Sequence, residues 1–272
     1  MAKFKVLKQG VHQPLVMGIQ EVLGLEVDGF FGPMTDKAVR EWQESEGLEV
    51  DGEFGLVSMA KMKDKIDYRY KILQVIAEFE GACTVKNGWA FTSVVANDGA
   101  GTNYGVMQMN RYGSLQDVKK NYGCTGPAWF GTVAGSQGQF KYFCDCILKP
   151  SIAIAKMIGD ESHRCLLVLC DARVQGGGFY PSRPRPITNW KDWKLTEEDR
   201  KTVEKNFKDL PPKEAYIKSI KEHCCPARMF AELYPRYGNP IFLDDQLSRR
   251  RTAIYGEGKV HDDYYNMEDY GL

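Results

Sequence analysis

Glu80 and Asp98 are the side chains whose types and spacing best suit acid–base chemistry. Glu80 ends the run Tyr68-Arg-Tyr-Lys-Ile-Leu-Gln-Val-Ile-Ala-Glu-Phe-Glu80-Gly81, in which Ile72, Val75, Ile76 and Phe79 recur at helical spacing. On such a helix Glu80 stacks over Ile76 and Leu73, at the edge of the apolar stripe, and Gly81 supplies the stop. A carboxyl at a helix C-terminus and partly out of water resists ionisation, because the carbonyl-rich helix end and the loss of solvent both disfavour the anion. A general acid needs that environment. Glu78 stacks instead over Gln74 and Lys71 and reads as an ordinary surface residue of the polar face. Asp98 lies in Asn97-Asp98-Gly99-Ala100-Gly101-Thr102-Asn103-Tyr104-Gly105, where an Asp-Gly turn and three glycines place it on a tight, exposed corner. Alone, such an aspartate is a turn former. Facing a helix-end glutamic acid, it completes the pair that glycosidic bond cleavage uses. One carboxyl protonates the leaving oxygen, and the other activates water or stabilises the cation-like transition state. A carboxyl separation of about 6.5–9.5 Å implies inversion, and about 5–5.5 Å implies retention.

The elements that must hold this pair are read from the rest of the chain. Val27-Asp28-Gly29-Phe30-Phe31-Gly32 is echoed by Val50-Asp51-Gly52-Glu53-Phe54-Gly55, two tight-turn signals each followed by an anchoring aromatic. Leu15, Ile19, Val22 and Leu23 precede the first turn at helical spacing. A helix with Thr35 as N-cap, and with Val39 and Trp42 on one face, lies between the turns. A third helix starts near Ser58, so a three-helix unit with two Asp-Gly loops is expected. Residues 63–68 lead straight into the Glu80 helix without a long linker. A β-hairpin is expected over about 91–109 and helices over 163–175, 197–208 and 212–223, with a Pro- and Trp-rich surface loop at 181–194.

The first unit resembles the peptidoglycan-binding module of bacterial and phage wall hydrolases. Helix, Asp-Gly-x-Phe-Gly-Pro-x-Thr, Val-x-x-Trp-Gln-x-x-x-Gly-Leu and Asp-Gly-x-Phe-Gly occur in order over about 11–62, with Ser58 where the second loop usually has Thr. Its candidate binding residues are Asp28, Phe31, Trp42, Asp51 and Phe54.

The remainder resembles the chitosanase-related branch of the lysozyme superfamily. The matching segments are Glu80 with Asp98-Gly99-Ala100-Gly101-Thr102-Asn103-Tyr104-Gly105-Val106-Met107-Gln108-Met109-Asn110, then Cys170-Asp171-Ala172-Arg173-Val174-Gln175-Gly176-Gly177, and the block from Ser248 to Leu272. The resemblance implies a lysozyme-like, α-rich fold with Glu80 as general acid and Asp98 as general base. That family has Ser or Thr five residues after the aspartate, to position the attacking water; here Asn103 stands there with Thr102 beside it. Thr102, Tyr104, Gln108, Asn110, Arg173 and Gln175 are the candidate sugar-binding residues, each equally suited to packing or capping. Asp171, among leucines, is expected to make a buried hydrogen bond or salt bridge, and His261 to be structural.

Composition sets the bounds. The 272 residues are 43% hydrophobic and 26% charged, as in soluble globular proteins. Formal net charge is zero and the pI is near 6.9, against a broadly basic nucleic-acid-binding surface. The charged N-terminal ten residues contain no apolar signal core, and no run is long enough to span a membrane. The eight cysteines and four histidines lack the paired spacing of structural zinc sites, so free thiols are expected, and neither metal nor cofactor.

The expected architecture is mainly α: a three-helix bundle over 1–65, then a lysozyme-like α-rich domain with a small β-hairpin or sheet over 66–272. The expected activity is that of an endolysin, a muramidase cutting the β-1,4 bond between N-acetylmuramic acid and N-acetylglucosamine. Its partner is bacterial peptidoglycan. It is expected to be a monomer without membrane insertion, held in a host cytoplasm until the inner membrane is breached. A chitosanase, a lytic transglycosylase and a non-catalytic wall-binding protein are the alternatives.

Overall fold

A proline opens each of the first two helices, α1 (Pro14–Val22) and α2 (Pro33–Ser45). Proline suits the first helical turn, where its missing N–H has no partner to lose and its fixed φ is already helical. α3 (Leu56–Met62) and α4 (Tyr68–Phe79) come next, with only Lys63–Asp67 between them. The computed structural model describes residues 4–81, 90–95, 102–110, 114–158, 160–175 and 240–272. Asp98, the loop expected at 181–194 and the helices expected at 197–208 and 212–223 lie outside them.

The molecule is mainly helical with small antiparallel sheets. Its contacts group into two compact units, Met1–Cys146 with Asn266–Leu272, and Ile147–Tyr265. In the first unit α1 packs along α4. Leu15, Val16, Ile19, Phe31, Val39, Phe54, Met59 and Met62 are buried, as are Ile72, Val75, Ile76 and Phe79 of α4. Gly18 lies so near Ile66 and Tyr70 that an added Cβ would meet the Ile66 side chain at 2.7 Å, so glycine lets the two helices close up. The two-stranded ladder β1 (Val94–Val95) and β2 (Asn103–Tyr104) pairs Val94 with Tyr104 and Val95 with Asn103. The hairpin expected there is thus present. The 3₁₀ turn Pro127–Gly131 precedes α6 (Val133–Tyr142), which Thr132 caps, accepting from the Gly135 N–H at 3.0 Å. α5 (Ser114–Asn121) packs on α6.

A π-helical turn, Phe143–Leu148, leads on from α6. The second unit holds α7 (Lys149–Ile158), α8 (His163–Val174), α9 (Pro240–Tyr255), the strand β3 (Glu257–Val260) and all but the last residue of β4 (Asp263–Asn266). α8 packs on α7 and α9, and Cys165, Leu166, Leu167, Val168, Leu169 and Cys170 are buried along it. Cys124, Cys144, Cys146, Cys165 and Cys170 are free thiols. No helix among the described residues is long and apolar enough to cross a membrane.

Two expectations are corrected here. Thr35 is not an N-cap, because Pro33 starts α2 two residues earlier with Gly32 at the cap. Thr35 is buried, and its hydroxyl accepts from Gln20 Nε2 at 3.1 Å. Glu78 is not a surface residue but 3% exposed. The polar stripe Lys71–Gln74–Glu78 is covered by chain from both ends of the sequence. Gln74 Nε2 donates to Gln13 Oε1 at 2.9 Å and to Glu78 Oε1 at 2.8 Å, while Tyr270 Oη donates to Glu78 Oε2 at 2.9 Å. Lys5 Nζ stands 3.5 Å from the same carboxylate.

Candidate functional site

α4 places Glu80. Asp67 caps its start, accepting from the Arg69 N–H at 2.8 Å. At its end Glu80 is the C-cap, and its N–H donates to Ile76 O at 2.8 Å. Gly81 adopts the left-handed region, φ +69°, and its N–H donates to Glu78 O at 3.0 Å. Glu80 is therefore a half-buried carboxyl at a helix C-terminus, as its spacing predicts. The carboxyl that burial pushes above its ordinary range is Glu78, against the opposing pull of Lys5, Gln74 and Tyr270.

The hairpin that carries Asp98 in sequence is held at its base. Gly105 N–H donates to Ser93 O at 2.8 Å, and Tyr104 exchanges backbone hydrogen bonds with Met109 at 2.9 and 2.8 Å. Gln108 takes a left-handed φ of 47°, and its Nε2 donates to Gly105 O at 2.9 Å and Ser93 Oγ at 3.2 Å. The buried Gln139 of α6 clamps both legs, accepting from Val106 N–H at 3.0 Å and donating to Phe91 O at 3.1 Å. Gly105 has φ +73°, and an added Cβ there would collide with Gln139 Oε1 and the Phe130 ring. Nothing in the sequence singles out Gln139 for this role.

The other candidates fall into two places. Thr102, Tyr104, Gln108 and Asn110 are half-buried on the hairpin and its return, and Asn103 is buried in β2. The Tyr104 ring stacks on Phe130, with centroids 5.5 Å apart and planes at 21°. Arg173 and Gln175 lie at the end of α8 in the second unit. There Arg249 Nη1 is 3.6 Å from the buried Asp171 Oδ1, the salt bridge expected of Asp171. Arg249 Nε is 2.9 Å from Asp245 Oδ2, and His261 Nε2 is 2.9 Å from Asp245 Oδ1. Burial raises Asp245, but His261 and Arg249 outweigh it and hold the carboxyl below its ordinary range. With its amide oxygen toward Arg249, Gln175 accepts from Nε at 3.3 Å and Nη1 at 3.1 Å. His261 is thus tied into a hydrogen-bonded ion-pair chain.

The N-terminal module is a true internal repeat, each position having its counterpart 23 residues on (20 to 43, 28 to 51, 35 to 58). Gln20 Nε2 donates to Asp28 Oδ1 at 2.6 Å and Phe30 O at 3.0 Å, while its Oε1 accepts from Gly29 N–H at 2.8 Å. Gln43 repeats the pattern with Asp51 Oδ1 at 2.8 Å, Glu53 O at 3.0 Å and Gly52 N–H at 2.9 Å. Asp28 and Asp51 each accept from the N–H two residues on, at 2.8 Å. In Asp51 that Glu53 N–H is the main cause holding the carboxyl low. Phe31 and Phe54 are fully buried, and Trp42 packs on Phe54 at 5.9 Å. Asp28, Phe31, Asp51 and Phe54 thus build the loops. Gln20 and Gln43, their organising partners, are legible only by aligning the two copies.

A two-copy helix-and-loop module of this kind, packed on a helix that ends in a half-buried glutamic acid, is the class that fold and site define. Residues 19–62 match the family model of the peptidoglycan binding domain. No curated protein and no solved structure gives a match. The match covers the module alone, and supports association with the cell wall, with peptidoglycan as partner.

Proposed function

We propose that the chain is a muramidase of the endolysin type, hydrolysing the β-1,4 bond between N-acetylmuramic acid and N-acetylglucosamine. The carrying observation is the peptidoglycan-binding module set directly against α4, the helix that Glu80 terminates. In this reading Glu80 protonates the glycosidic oxygen as the bond breaks. Asp98 takes a proton from the attacking water, which Asn103 orients. Product leaves with inverted configuration, and no cofactor takes part. The lysozyme-like fold of the catalytic part, the site residues, the monomeric state and the stay in a host cytoplasm before lysis belong to the same reading.

The test is turbidity loss and mass spectrometry of the sugars released from purified peptidoglycan, with wild type beside Glu80→Gln. Reducing disaccharide units are expected from wild type, and a fall of about a hundredfold or more in the variant. Activity that survives in Glu80→Gln overturns the assignment. A 1,6-anhydro product marks a transglycosylase, and cleavage of chitosan with none of peptidoglycan marks a chitosanase.

A further inference from the structure

The two copies of the module's loop are alike inside and unlike outside. The first is covered by its own unit: Gln137 Nε2 donates to Val27 O at 3.1 Å, and a Cβ on Gly29 would meet the Phe91 ring at 2.8 Å. In the second, Val50 is 46% exposed, Leu56 44% and Val57 67%. α3, just beyond this open loop, forms one wall of a groove of about 300 Å³ lined by Leu56, Ala60, Lys63, Glu268 and Asp269. The other wall is the 3₁₀ turn Met267–Tyr270.

The two walls are stapled together. The buried Lys71 ammonium donates to Lys63 O at 2.9 Å and Gly271 O at 3.1 Å, and Tyr270 is anchored on Glu78. The groove is therefore preformed, and its lining has a definite chemistry. Lys63 brings a cation, Glu268 and Asp269 bring two carboxyls, and Leu56 and Ala60 bring a small apolar surface. Burial first, and then the neighbouring Glu268, push the Asp269 carboxyl up against the pull of Lys63, and a bound ammonium would favour its charged form.

We propose that this groove binds the peptide stems of peptidoglycan, Lys63 taking a stem carboxylate and Glu268 with Asp269 taking a stem ammonium. Small side chains of the stem lie against Leu56 and Ala60. The inference rests on the module's association with the wall. A stem carrying both charges complements the lining, whereas a glycan of N-acetylated sugars offers no ammonium. Nor does the lining present an aromatic face for a sugar ring to stack on.

The experiment is calorimetric titration of the full chain with two probes. One is the pentapeptide L-Ala-γ-D-Glu-L-Lys-D-Ala-D-Ala, and the other is the tetramer of N-acetylglucosamine. Lys63→Glu and the double variant Glu268→Gln/Asp269→Asn are compared with Lys119→Glu, an exposed charge reversal on α5 as control. Thermal melts confirm that each is folded. Peptide binding is expected in wild type and control, weakened about tenfold or more in both groove variants. Should one groove variant fail to fold, the other decides. Peptide affinity unchanged in a folded groove variant, or tetramer binding without peptide binding, overturns the proposal. Sugar release is measured on the same samples. A wild type that binds peptide but releases no sugar refutes the hydrolase reading and leaves the groove assignment standing.

Discussion

Two residues before the proposed acid, the Glu78 carboxyl is enclosed by Gln74, Tyr270 and Lys5. Burial raises it above the ordinary glutamate value of 4.5, so within a window above 4.5 the folded chain holds a proton that the unfolded chain has released. The stability this group contributes is fully present below 4.5 and is lost as pH rises through the folded value. Buried His12 acts with the opposite sign. Burial lowers it from 6.5, so its contribution is present above 6.5 and is lost as pH falls below that value. Urea midpoints of wild type and Glu78→Gln, measured from pH 4 to about 7, isolate the first effect. The wild type is expected to lose stability relative to the variant as pH rises above 4.5, and parallel profiles would refute it. The burial of Glu78 was not legible in the chain because helical periodicity sorts residues by face, not by what covers that face. Its cover comes from Gln13, 61 positions from Gln74, and from Tyr270, 192 positions from Glu78. Glu80, by contrast, was placed by local signals alone, the helix stripe before it and the glycine after it.

Among the elements, the two Asp-Gly loops were legible because turn chemistry is local. Gly29 and Gly52 adopt φ of +77° and +71°, a region that residues with a Cβ avoid. The glutamines that gather each loop were not, since a glutamine in a helix carries no turn signal of its own. The same reasoning ranks the two. Removing either strands loop N–H groups that Gln20 or Gln43 now satisfies. The first loop is pressed against Phe91 and α6, where water cannot easily replace the lost partner. Gln20→Ala should therefore cost about 3 kcal/mol and Gln43→Ala about 2 kcal/mol, given roughly 1–3 kcal/mol for each buried polar group left unsatisfied. Urea denaturation of the two variants tests this. Equal losses would mean that the cover over the first loop adds nothing.

On the scale of the whole molecule, the wall-binding module is either a tether or a structural part of the chain beyond residue 65. A tether raises local substrate concentration through a linker, and can be cut away without harm to the rest. Here the residues after 65 depend on those before it. The Leu15 N–H donates to Gln74 Oε1 at 3.1 Å, and His12 Nε2 is 2.7 Å from Ser136 Oγ on α6. Gln13 and Lys5 reach the α4 polar stripe, and the His12 ring lies 5.1 Å from Phe91. Removing residues 1–65 strips the cover from α4, whose Ile72, Leu73, Val75, Ile76 and Phe79 are all fully buried. Re-exposing a fully buried side chain of this kind costs about 1.5–3 kcal/mol, so exposing all five would cost about as much as the roughly 5–15 kcal/mol that holds a domain together. Polar groups of the stripe would also lose their partners. The fragment 66–272 is therefore expected to bind a hydrophobic dye, lose its near-ultraviolet dichroism and melt without a cooperative transition. The full chain should melt cooperatively. A fragment that melts sharply and still releases sugar from peptidoglycan would make the module a tether after all. Its buried seam with α4 would then contribute placement rather than stability.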